Sequence, residues 1–294
     1  MSGALDAEAV SYSPRVATFR ASMIAQIPRA PRNRVSLALL QSMPTRELIF
    51  RFVTWRMRLV TAKPRTVTLW AGGVTQAQLQ DLLPELQPLL EGVERGEDLT
   101  PYLSNLVENK GVILPGANPS DKGKDLDSIL IRNGLHHFHV GAAGPGNRVE
   151  RSNRLIFAEV LEAEFRIVAI SDHGAFVQGS PEQQRFFSIS RSYVEKDMAP
   201  DSFYMMNPVM SSGHSMVVTM FGLQCEKEIE RLDPLLDDAE FVDSLYNGQP
   251  IFRGDTQIFR PRNPKFSWHF DNLKLGILDR KTKVFFCIFP FFDR

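Results

Sequence analysis

The chain has 294 residues, 43% of them hydrophobic, with 34 basic and 34 acidic side chains. That is enough apolar material to bury a core in one large domain or two ordinary ones, and it excludes a disordered chain. No apolar run approaches the roughly 18 residues that span a bilayer, the N-terminus lacks a secretory apolar stretch, and the two cysteines, Cys225 and Cys287, have no CxxC spacing, so a cytoplasmic protein with buried thiols, not bound to a membrane, is expected.

The zero net charge conceals an uneven distribution. Residues 1–70 hold eleven Lys and Arg against three Asp and Glu, whereas residues 71–130 hold four against ten. The stretch from Ile251 onward is basic again. Basic ends of this kind can hold a polyanion, or they can simply neutralise the acidic middle.

The first 30 residues read as an irregular or weakly helical arm. From Arg46 to Val60, Leu48, Phe52, Trp55 and Leu59 recur at helical spacing with four arginines around them, which predicts an amphipathic helix, either one that presents those arginines to phosphate or, as the commoner case, an ordinary one. Thr66–Trp70 alternates like a strand, and Gly72-Gly73 turns the chain. Thr75 then caps a helix over Gln76–Val93, which Pro84 and Pro88 should kink or split. Thr100-Pro101 opens another helix ending near Gly111, Leu114–Lys124 is a loop, and Asp125–Ile131 forms a short helix.

Next comes Gly134-Leu-His-His-Phe-His-Val-Gly141, followed by two β-rich runs, Arg154–Leu161 and Phe165–Ser171, around a polar turn. They read as a hairpin, with Ala142–Ser152 inserted before it. Phe186–Tyr193 and Ser215–Leu223 read as further strands, Cys225–Leu245 as an acidic helical stretch, and Ser267–Phe289 as two or more strands around Asp279-Arg280-Lys281. The C-terminal phenylalanines are core or a partner-binding face. GxxxxGK[ST], GxGxxG and HExxH are absent, so phosphate-loop enzymes, Rossmann oxidoreductases and common zinc peptidases lose their signatures.

Four of the six histidines lie between 136 and 173. Alternate residues of a strand share a face, so His137 and His139 point one way and His136 the other. In one antiparallel sheet, His173 at the end of the last strand returns to the neighbourhood of that pair.

The order strand, helix, helix, strand, strand, strand resembles the RelE and YafQ branch of bacterial toxin endoribonucleases over about residues 60–180. The pieces that carry the resemblance are His137-Phe-His-Val140, Leu155-Ile-Phe157 and Asp172-His-Gly-Ala-Phe176. It implies catalytic roles for His139 and His173 and a closing aromatic at Phe176, with RNA as partner, and an antitoxin or other protein as a further one. The chain is much longer than these toxins and its two helices are acidic, which shifts RNA binding to the flanking segments.

The implied mechanism is metal-independent and needs no cofactor. One imidazole takes the proton of a ribose 2′-hydroxyl and a second donates to the leaving 5′-oxygen, which suits a group with an unperturbed pKa of about 6.5. His173 is assigned as acid and His137 or His139 as base, in exchangeable roles, with Asp172 orienting an imidazole. Arg132, Arg154 and Arg166 are the expected phosphate-binding cations.

Two rivals stand beside this reading. His137, His139 and His173, with Asp172 or His214 as a fourth group, have ligand types that suit a metal-dependent hydrolase or oxygenase. Alternatively the toxin-like fold is a non-catalytic interaction module. The expected architecture is α+β: residues 1–62 a basic helical segment, 63–180 an antiparallel sheet with two helices on one face, and 181–294 a β-rich extension.

Overall fold

The computed structural model describes residues 12–141, 152–248 and 250–291. The expected insertion over 142–151 and the first eleven residues lie outside the described residues. The chain begins with α1 (Pro14–Gln26), β1 (Arg29–Ala30), α2 (Arg34–Ser42), α3 (Thr45–Arg56), β2 (Thr66–Leu69) and α4 (Gln76–Arg95). It continues through α5 (Leu106–Asn109), β3 (Val112–Ile113), α6 (Ser128–Asn133), β4 (His136–His139), β5 (Arg154–Val160), β6 (Glu164–Asp172) and α7 (Pro181–Glu195). The remainder is α8 (Met216–Leu232), α9 (Ala239–Asn247), β7 (Ile251–Arg253), β8 (Thr256–Ile258), β9 (Phe266–Asp271), β10 (Lys274–Asp279) and β11 (Phe285–Pro290). The fold is α+β, as the sequence predicts.

These elements form two compact units. One takes residues 1–27, 33–53 and 218–294, and the other 28–32 and 54–217. The 63–180 core therefore lies within the second unit, which also includes 181–217. The first unit joins residues 1–27 and 33–53 of the expected N-terminal segment to residues 218–294 of the expected C-terminal extension.

In the first unit the antiparallel meander β9–β10–β11 packs on α1. Phe270 of β9 lies 5.3 Å from Phe19 and stacks on Phe52 at 5.4 Å, so the aromatic-rich C-terminus supplies core. The fully buried Asp279 carboxylate receives Tyr246 Oη at 2.6 Å and the backbone N–H groups of Lys265 and Lys281, which offsets the cost of burying a charge. Cys225 is buried, but Cys287 is exposed on β11, contrary to expectation.

Several local expectations are corrected. Residues 14–26 form a regular helix because Ser13 caps it and Pro14 occupies its first turn. Residues 186–193 and 216–223 are helical, not strands. The first stretch belongs to α7, opened by the cap Ser180 and Pro181, and in the second Val218, Phe221, Gly222 and Cys225 are buried at helical spacing. The α4 helix runs unbroken through Pro84 and Pro88, since both prolines are exposed and the carbonyls they leave unbonded face water, while Leu82, Leu86, Leu89 and Val93 hold the opposite side.

The second unit is built on a four-stranded sheet of order β2-β6-β5-β4. Strands β4, β5 and β6 are antiparallel, and β2 joins β6 in parallel as the far edge. One face carries Phe138, Ile156, Phe165 and Ile167 and packs against α4 and the segment of Leu99, Leu103 and Val107; the second helix expected from Thr100 to near Gly111 is instead a 3-10 turn over Thr100–Tyr102 followed by the four-residue α5. The other face carries Leu155, Phe157, Val168 and Ala169 and is covered by Phe186 and Tyr193 of α7. A bulge beside Phe157 turns both Val168 and Ala169 toward α7. Among the described residues no helix is long and apolar enough to cross a membrane.

Candidate active site

Register decides which histidines meet. On edge strand β4, His137 pairs with Phe157 and His139 with Leu155, so both imidazoles lie on the α7 face, and His136, opposite Ala158, lies on the α4 face. After Asp172, the chain enters a 3-10 turn over His173–Phe176. Residues three apart in such a turn are eclipsed and rise about 6 Å, close to the roughly 6.6 Å between alternate residues of a strand. The two ladders match. His173 lies 5.4 Å from His139 between ring centroids, Phe176 lies 5.1 Å edge-on from His137, and His137 and His139 are 6.0 Å apart.

The three imidazoles differ in exposure. His139 is only 3% exposed, His137 is partly buried, and His173 is open to solvent with Phe176 beside it. His173 Nδ1 donates to Asn153 Oδ1 at 3.1 Å, which fixes that nitrogen as the protonated one in a neutral ring and leaves Nε2 outward.

Asp127 was not anticipated. It caps α6 through Oδ1, which accepts from Leu130 N at 3.0 Å, and its Oδ2 lies 2.9 Å from His137 Nδ1, off the line of an ideal hydrogen bond. Burial alone would push this carboxyl up, but the charge and contact of His137, the Leu130 N–H and the charge of His136 outweigh it and hold the group at about 2. The signal in sequence was an Asp immediately ahead of a short helix that leads into the histidine strand.

Asp172 does not orient an imidazole. Its Oδ1 accepts from Gly174 N at 2.6 Å and so shapes the turn that carries His173. Ser180, the cap of α7, donates to Gly174 O at 2.6 Å, which seats the helix N-terminus on the same turn. Arg185 of α7 pairs with Glu182 at 2.6 Å and donates to Ile170 O.

The arginines expected at the phosphate are dispersed. Arg154 lies on the α4 face, paired with Asp81 at 2.6 Å. Arg166 pairs with Glu164 at 2.7 Å and bonds Tyr193 Oη at 3.0 Å; its strand partner is Glu159, four residues along β5 from Leu155. Arg132 is exposed at the end of α6, where it lines a cavity of about 760 Å³ whose walls include no histidine. Proximity in sequence was a poor guide because strand parity and helix phase separate neighbours.

His136 donates Nε2–H to Met57 O at 2.9 Å, and burial, only partly offset by that bond and by Asp127, pushes its pKa down to about 4. His214 contacts Thr54 Oγ1 through Nδ1 at 3.0 Å. Among the described residues no group of three or more His, Cys, Asp or Glu is arranged to hold a metal ion, so the ligand set imagined from His137, His139, His173 and either Asp172 or His214 does not form.

No family model, curated protein or solved structure matches this chain.

Proposed function

We propose that the second unit is a metal-independent endoribonuclease acting by histidine acid–base catalysis. The observation that carries this reading is the approach of His173 to the His137–His139 pair across two separate β-segments, beside the exposed ring of Phe176. His137, backed by Asp127, is the base: with Nδ1–H toward the carboxylate, Nε2 is left with its lone pair. It takes the 2′-hydroxyl proton, the 2′-oxygen bonds to phosphorus, the bond from phosphorus to the 5′-oxygen breaks, and protonated His173 gives its Nε2 proton to that oxygen. The products are a 2′,3′-cyclic phosphate and a 5′-hydroxyl.

His139 sits between these groups as a positioning residue. The cation role expected of Arg132, Arg154 and Arg166 passes in this reading to the positive end of α7, which is seated on the turn that carries His173 and favours anions. Phe176 offers a face on which an unpaired base stacks. A toxin-like role in the cytoplasm, with an antitoxin or another inhibitor as partner, accompanies this reading through the resemblance alone.

The test is cleavage of fluorescently labelled single-stranded RNA in chelator. Wild type should cut, and His173→Ala and His137→Ala should each lose roughly a hundredfold or more in rate while keeping a wild-type circular dichroism spectrum. Equal rates in wild type and both variants would remove the histidines from the chemistry.

A further inference from the structure

We propose that the cavity lined by α6, α7 and residues 198–206 binds a small amphipathic anion, an apolar body bearing one carboxylate-like group, with Arg132 as its charge anchor. This inference does not rest on the histidine reading. The cavity encloses about 760 Å³, within the roughly 300–1,000 Å³ of small-molecule sites. Its walls are mainly apolar and include Phe187, Val194, Met198 and Met206.

The apolar walls are held apart instead of collapsing. Tyr204 Oη donates to Arg132 O at 3.0 Å and Asn207 Nδ2 to Ile131 O at 3.2 Å, so the incoming segment is tied to the terminal carbonyls of α6. That attachment leaves Phe203 87%, Met206 52% and Phe187 43% exposed. Large side chains in this state are covered favourably by an apolar ligand, and unbranched methionine adapts to its shape.

Charge selects the other end of the ligand. Two arginines and one glutamate line the cavity, and Arg191 is neutralised by Glu195 at 2.7 Å. The Arg132 guanidinium forms no hydrogen bond or ion pair among the described residues. One uncompensated positive charge at an apolar cavity calls for one negative charge on an apolar body.

The experiment titrates the full chain with dodecanoate and with dodecanol by isothermal calorimetry. Dodecanoate should bind saturably at one site, and Arg132→Gln should weaken it by roughly tenfold while leaving dodecanol binding unchanged. Ala199→Trp, which fills the cavity, should remove both. Absence of saturable dodecanoate binding, equal dodecanoate affinity in wild type and Arg132→Gln, or undiminished binding in Ala199→Trp overturns the proposal.

Discussion

Nδ1 of His137 and Oδ2 of Asp127 lie 2.9 Å apart, and the same carboxylate caps the helix leading into the histidine strand. One residue thus serves both a helix terminus and an imidazole. Asp127→Asn keeps an oxygen for the cap but loses the charge, so RNA cleavage should fall by roughly a hundredfold, and the stability that the lowered carboxyl pKa supplies above pH 4 should be lost with it. Asp127→Ala also loses the cap and should cost about 1 kcal/mol more. Cleavage rates and urea midpoints of the two variants separate these effects.

Acid stability should decline in two stages. The folded pKa of His136 lies near 4, below its unfolded value of 6.5, so the unfolded chain binds the extra proton and stability is lost as pH falls from 6.5 through 4. The loss is about 3 kcal/mol. Asp127, held at about 2 against an ordinary 3.8, adds a second loss as pH falls from near 4 through 2. His136→Gln, whose amide can still reach Met57 O, should flatten the upper stage. Denaturant midpoints across pH 3–8 measure this, and an unchanged slope between 6.5 and 4 in that variant would assign the loss to another group.

Close packing at the β2 turn gives a third expectation. A Cβ on Gly73 would lie 2.1 Å from Val168 O and 2.7 Å from Ile189 Cγ2. Neither the β6 carbonyl nor the α7 side chain can withdraw without disturbing the sheet, so Gly73→Ala should destabilise the second unit by on the order of 3 kcal/mol. Thermal unfolding checks this; an unshifted midpoint would mean that the turn re-routes freely.

The sheet of the second unit was legible because β5 and β6 carry apolar runs within their seven and nine residues, and the parity of His137 and His139 follows from the two-residue strand period alone. The approach of His173 was also legible, since the Arg154–Asp172 hairpin fixes where β6 ends. Asp127 was not, because its reach depends on the phase of α6. Arg154 misled because its register neighbour Leu155, not Arg154 itself, shares the face of His139. In α7 and α8, β-branched and aromatic residues imitated strands, although Ser180-Pro181 carried a helix-start signal that outweighs local propensity.

Transesterification by imidazoles without a metal leaves its signature on the ends of the cut RNA. Mass spectrometry of products formed in chelator should find 2′,3′-cyclic phosphate and 5′-hydroxyl termini with wild type, and neither with His173→Ala or with RNA whose 2′-hydroxyl is replaced by hydrogen. Products ending in 5′-phosphate, cleavage of the 2′-deoxy substrate, or intact RNA with wild type would contradict the account.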